Sequence, residues 1–268
     1  MAAQFDAVAE LMGTFKLLFE KKNWMLAVPI LVSLLVAGII IGIGFAIAFG
    51  SLMAGAGTAG MMAGGEGRGP TALFGALFSG LGILFIVFVI AGIIAAVFGY
   101  GWAYAAAEPV WRGGDPDIGG GFSKAMSKLG SLIVLAAIVG VVDALLFWSV
   151  IVPILIGLFC LYTIPYIMQG NQTGTGSIGA SISLSRENFG PTAMLFLGLI
   201  VIGIIAGVIN AIIGLIPVLG QIVAIAVGSL VGAYCILAVM RWYNLLTGSA
   251  TTAAATVPPA PPPAAPTP

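Results

Sequence analysis

An all-α integral membrane protein with six transmembrane helices is the fold class this sequence predicts, and three observations predict it. The 268 residues are 60% hydrophobic and only 7% charged, with a mean hydropathy of +1.18; a soluble domain carries roughly 25% charged residues. The apolar residues gather into runs of about 20, the length that crosses a hydrocarbon core as helix. Nearly all charges lie between those runs.

Taken in order, residues 1–24 read as an amphipathic helix lying in the membrane interface. Phe5, Val8, Leu11, Met12, Phe15, Leu18 and Phe19 fall at helical spacing on one face. The membrane domain then occupies residues 25–248, with spans expected at Met25–Phe49, Leu81–Ala107, Leu129–Val150, Ile151–Met168, Thr192–Ile213 and Pro217–Met240. No short apolar core with a small-residue cleavage site precedes them, so the first span is expected to stay as an anchor. Between spans one and two, residues 50–70 are rich in Gly and Ala and read as a flexible outer loop. Polar segments 108–128 and 169–191 follow spans two and four. Residues 249–268, dominated by Pro and Ala, read as an extended, disordered tail.

Eight of the nine Lys and Arg residues fall on one side of this arrangement, and only Arg68 on the other. The positive-inside rule then predicts that both termini are cytoplasmic. Net charge is zero and no basic stripe exists, which argues against a nucleic-acid partner. Histidine is absent, so no Ser-His-Asp, Cys-His or His-ligated metal site can be assembled. No phosphate-binding loop is present. The sequence therefore predicts neither an enzyme nor a bound cofactor. Cys160 and Cys235 sit inside apolar runs and read as small packing residues.

The chain repeats a pattern. Glu108-Pro109, a Gly-rich turn, the stretch Gly121–Lys128 and Leu129-Gly130 match Ile164-Pro165, a polar turn, Ser177–Leu184 and Phe189-Gly190. The ends of spans three and five match as well, in Val142-Asp143-Ala144-Leu145-Leu146 and Ile209-Asn210-Ala211-Ile212-Ile213. Three units are expected, each an interfacial helix followed by a two-span hairpin. Gly38-xxx-Gly42, Gly203-xxx-Gly207 and Gly228-xxx-Gly232 are expected to let helices, or copies of the chain, approach closely.

Asp143 is the one acidic side chain deep in an apolar run, about 10 Å from the outer end of its span. A carboxylate there is costly and ordinarily faces a partner, a cavity or water. Three roles stay open: a structural hydrogen bond, a proton- or cation-coupled transport site, and a contact to a lipid headgroup or partner. Its counterpart Asn210 favours the first, as a polar packing slot used twice. Glu108, Arg112, Arg186 and Glu187 mark the cytoplasmic edge, with Glu108 expected to pair with Arg112.

Tyr162-Thr-Ile-Pro165, Ser181-Ile-Ser-Leu-Ser-Arg-Glu-Asn188 and Gly214-Leu-Ile-Pro-Val-Leu-Gly220 carry a resemblance across roughly Tyr100–Tyr243. The chain resembles a group of bacterial six-span integral membrane proteins. That group includes YciC-like inner-membrane proteins and the membrane region found ahead of some glycerophosphodiester phosphodiesterases. No catalytic domain of the latter kind is present. The resemblance implies a non-enzymatic protein of the bacterial inner membrane, with a scaffold, interaction or envelope-lipid homeostasis role. The competing expectation is a small transporter or pore for an ion, lipid or small solute, with its polar site near Asp143. The partners expected are the lipid bilayer and a protein or second copy bound through the Gly-xxx-Gly faces.

Overall fold

The computed structural model describes residues 7–62, 80–146, 149, 151–170, 172–216 and 219–248, and every regular element among them is helical. In chain order these are α1 (Ala7–Phe19), α2 (Ala27–Met62), α3 (Gly80–Ala106), α4 (Ile118–Ser127), α5 (Leu129–Leu146), α6 (Ile151–Phe159), α7 (Thr163–Met168), α8 (Gly174–Glu187), α9 (Phe189–Ile213) and α10 (Leu219–Leu246). Short 3-10 turns at Asn23–Leu26 and Glu108–Arg112 lead into α2 and out of α3. Phe5, Arg68, residues 71–79 and the Pro-rich tail lie outside the described residues.

Five segments are long and apolar enough to cross a membrane: Asn23–Gly50, Leu84–Arg112, Ile151–Met168, Phe189–Ile213 and Ile222–Leu246. A sixth arises if Ile118–Ser127 and Leu129–Val142, which meet at a 72° bend, are taken together as one span. The bend falls where composition changes. The short α4 carries Lys124, and Lys128 caps it before the apolar α5 begins, whose single charged residue, Asp143, lies in its last turn.

Three boundaries differ from the sequence reading. α2 runs on to Met62, so the first part of the Gly-rich stretch read as loop is helical. Ser51–Met62 contains no proline and enough Ala, Leu and Met to continue the turn. α10 extends past Met240 to Leu246 because Arg241 finds an acidic partner, Glu10, and need not end the helix. The fourth span is two helices, α6 and α7, separated at Cys160–Tyr162.

The helices pack in a closed order. α3 packs on α5, α6 on α9, and α10 on α2, while α3 also meets both α7 and α10. Each short amphipathic helix lies against long helices that precede it: α4 on α3, and α8 on α5, α6 and α7. α1 has none before it and lies against α9 and α10, at the far end of the chain. The buried core sits at the end of the bundle that carries the amphipathic helices. It is built from Ala103–Ala107 of α3, Tyr162, Ile167 and Met168 around α7, and Ile236–Met240 with Trp242 of α10. α9 fully buries only Thr192, Leu195 and Ala206, packs Leu199 and Ile202 partly against the core, and exposes Met194, Leu197, Val201, Ile204, Ile205 and Val208.

Burial of apolar surface drives little association between helices in lipid, so fit decides the packing. The tightest fit is the α2–α3 pair, where glycines take the place of side chains. A Cβ on Gly99 would collide with Ser33, one on Gly92 would lie 2.6 Å from Ile41 Cγ1, and one on Gly44 would lie 2.5 Å from Phe88 Cβ. The Gly-xxx-Gly pairs behave differently from expectation. Gly38, Gly42, Gly203, Gly207 and Gly228 have nothing within 4 Å of a Cβ position; only Gly232 touches another helix, at Ile30. Five of these six glycines therefore meet no neighbour within the chain, and the closest contacts fall instead at Gly44, Gly92 and Gly99.

Gly99→Ala is therefore expected to lower stability in detergent by about 1–3 kcal/mol through overpacking, whereas Gly38→Ala should stay within about 0.5 kcal/mol. Thermal unfolding of both variants checks the contrast, and equal effects would contradict the α2–α3 fit.

Candidate functional site

The break between α6 and α7 gathers several buried hydrogen bonds at one place in the bundle. Pro165 has no N–H to give to Leu161, and its ring disfavours a helix continuing from the preceding turn. The chain instead ends α6 at Phe159 and restarts with Thr163 N–H on the Cys160 carbonyl (3.1 Å) and Tyr166 N–H on the Tyr162 carbonyl (3.0 Å). This leaves the Tyr162 N–H and the last α6 carbonyls without helical partners, and such groups are expensive in a dry interior.

Serines of α8 take them up. Ser181 Oγ accepts from Tyr162 N–H at 3.1 Å and donates to the Phe159 carbonyl at 2.8 Å. Ser185 Oγ donates toward the Leu158 and Phe159 carbonyls, each at 3.4 Å. Ser177 turns back onto Gly174 at 2.8 Å. The three serines are four residues apart, so they share one helical face, and each is 0% exposed. The opposite face of α8 carries Ser183, Arg186 and Glu187, all exposed; Ser183 donates to Glu187 at 2.8 Å.

Aromatic residues close the site from the other side. The Tyr162 hydroxyl bonds Thr192 of α9 at 3.2 Å. Its ring and that of Tyr166 lie 6.4 and 5.0 Å from Tyr243 of α10. Trp242 donates its indole N–H to the Pro191 carbonyl at 3.2 Å. All six tyrosines of the chain, at 100, 104, 162, 166, 234 and 243, lie on α3, on α10 or around α7. The Thr163 hydroxyl is buried, with the Cys160 thiol beside it.

This arrangement is neutral. The Ser177, Ser181 and Ser185 hydroxyls are committed to backbone groups, and the sequence has no histidine to activate one as a nucleophile. Among the described residues no group of three His, Cys, Asp or Glu side chains is placed to hold a metal. The chemistry it performs is satisfaction of backbone polarity where a helix is interrupted. Sequence reasoning quoted both segments, Tyr162–Pro165 and Ser181–Asn188, without bringing them together. The signal was the i, i+4, i+8 serine spacing opposite a Thr-x-Pro.

The predicted site residues fall elsewhere. Asp143 is in the last turn of α5, and its side chain lies outside the described residues. Asn210 is half-buried in the last turn of α9, and its side-chain Oδ1 is buried with no hydrogen-bond partner among the described residues. α5 and α9 do not pack extensively on each other. At the polar end, Glu108 pairs with Arg112 at 3.2 Å, as expected, and also with Lys124 at 2.5 Å. Trp102 donates to the Ile118 carbonyl at 2.7 Å, fixing α4 to α3. The Glu10–Arg241 ion pair, with the Tyr234 hydroxyl on the Leu11 carbonyl at 3.1 Å, fixes α1 to α10. That pair spans almost the whole chain, and no local pattern announces it.

Ser181→Ala should strand one buried donor and one buried acceptor, costing about 1–3 kcal/mol, and should accelerate hydrogen exchange at the Tyr162 amide. Ser183→Ala, on the exposed face, should do neither. Equal protection of Tyr162 in both variants would refute the role of Ser181.

Comparison of the chain with protein-family models, with curated proteins and with solved structures finds no match, so the reading of this site rests on its own geometry.

Proposed function

We propose that the chain is a non-enzymatic scaffold of the bacterial cytoplasmic membrane, acting in protein interaction or envelope-lipid homeostasis. In this reading it has six spans, arranged as three units of interfacial helix plus hairpin, with both termini cytoplasmic. The resemblance to YciC-like proteins belongs to the same proposal.

The observation that carries it is how the amphipathic helices are held. Each is pinned by a hydrogen bond to a long helix of another unit: Trp102 to Ile118 of α4, Ser181 of α8 to the α6–α7 break, and Tyr234 to Leu11 of α1. Each unit's second hairpin arm also packs on the first arm of the next: α3 on α5, α6 on α9 and α10 on α2. Pinned at three places, the helices form a fixed ring at one end of the bundle. α1 and α4 keep apolar side chains exposed there, including Met12, Phe15, Phe122 and Met126. A ring of this kind suits holding a leaflet or a partner. The outward Gly38/Gly42 and Gly203/Gly207 surfaces support self-association.

One observation favours the transporter reading, in which an ion, lipid or small solute passes near Asp143. Interrupted helices are a common means of building transport sites, and α6–α7 is interrupted. Here, however, Ser181 and Ser185 already occupy the freed backbone groups that a substrate would use.

Purified protein in sealed vesicles is expected to pass neither protons nor monovalent ions above the protein-free rate, and Asp143→Asn should change nothing. Crosslinking in native membranes should trap a specific dimer or complex. Flux that Asp143→Asn abolishes would replace the scaffold by the transporter.

A further inference from the structure

α1 has three distinct sides. Leu11, Thr14 and Leu18 face the bundle; Val8, Met12, Phe15 and Phe19, spaced by four, three and four residues, form an exposed apolar stripe; Lys16 and Glu20 lie to its side and are exposed. A helix at the rim of a membrane bundle has these three neighbours: protein, lipid and water. Just beyond it, Lys22 and Trp24 are exposed, while Lys21 is held in a left-handed turn (φ 48°) with its ammonium on the Gly113 carbonyl at 2.6 Å.

The charge at this rim is not balanced. Glu10 is neutralised by Arg241, which among the described residues of this rim leaves Lys16, Lys21 and Lys22 against Glu20; Asp6 lies before the described residues. Among the described residues neither Lys16 nor Lys22 has an acidic partner. The apolar stripe also continues into the membrane. α1 packs on α9 where Leu11 fills the space at Gly198, and Met194, Leu197 and Val201 of α9 present exposed side chains alongside. A cationic rim set directly above a continuous apolar wall matches an amphiphile with an anionic head and acyl chains.

We propose that this surface binds anionic phospholipid, with Lys16 and Lys22 on the headgroup, Phe15, Phe19 and Trp24 at the level of the glycerol backbone, and the acyl chains along α9. Lysine stems lying along apolar surface with their ammonium groups raised to the headgroup level suit this geometry. The inference rests on the proposed interfacial placement of α1 and adds the chemistry of what it holds.

The test uses the full chain in phosphatidylcholine nanodiscs containing a minor fraction of labelled phosphatidylglycerol, with enrichment at the protein read by energy transfer from its tryptophans. Enrichment is expected, and Lys16→Gln with Lys22→Gln should reduce it by about fivefold per lysine at low ionic strength. Lys16→Arg with Lys22→Arg should retain it. No preference over labelled phosphatidylcholine, or displacement by inorganic phosphate at constant ionic strength, would overturn the proposal. A depth-dependent lipid quencher acting on a fluorophore at Phe15→Cys separates the two ideas. Quenching without phosphatidylglycerol preference sinks the lipid inference alone, whereas absence of quenching sinks the interfacial placement as well.

Discussion

The need to satisfy every backbone N–H and C=O away from water governs this bundle. The long helices solve most of it internally, and the interruption at Cys160–Tyr162 needs partners from outside. Pro165 forces the interruption, and α8 resolves it from outside the span with Ser181 and Ser185. The α6–α7 segment is thus complete only when the next helix in the chain is docked. Local structure in one element depends on tertiary structure supplied by another.

That dependence explains why α8 is nearly devoid of large apolar residues on its buried side. A helix that packed through leucine would leave the break unsatisfied, whereas a serine face satisfies it and brings α8 close enough for Gly174 to lie against the Ser131 carbonyl. The same economy recurs at α4, where Gly121 lies against the Ala106 backbone, and at α1, where Gly13 lies under the Arg241 guanidinium. In each case a short polar-ended helix is held by a few directional bonds and a glycine contact. Bulk hydrophobic burial is unavailable as a driving force within lipid.

Much of the fold was legible because helix length, apolar composition and amphipathicity are local properties. The helices Gly80–Ala106 and Phe189–Ile213, and the part of Ala27–Met62 up to Phe49, follow from uncharged runs, and α1 from its spacing of Val8, Met12, Phe15 and Phe19. What was not legible is pairing between distant segments. The Gly-xxx-Gly rule pointed to Gly38, Gly42, Gly203 and Gly207, which face outward, because the rule describes a surface competent to pack without saying whether a partner is there. Gly92, which does pack, opens only the weaker Gly92-xxx-Ala96 version of the motif, and Gly99, seven residues on, belongs to no Gly-xxx-Gly pair. The Glu10–Arg241 pair has no counterpart in the sequence pattern, since no periodicity links residues at opposite ends of a chain. Asp143 drew attention through its cost in hydrocarbon, yet cost identifies a residue that needs a partner and does not say what the partner is for.

The serine-bound break also bears on the competition between the two proposed functions. A transport site built on an interrupted helix needs freed carbonyls and amides that a solute can use and release. At Phe159 and Tyr162 these groups are held by hydroxyls on a helix that is itself fixed by packing against α5, α6 and α7. Releasing them would require α8 to withdraw and would expose at least one donor and one acceptor, a cost of about 1–3 kcal/mol for each group. A ligand would have to repay that cost before gaining any affinity. The geometry therefore favours a rigid end to the bundle, with variable contacts displaced to its rim, where α1 exposes Val8, Met12, Phe15 and Phe19.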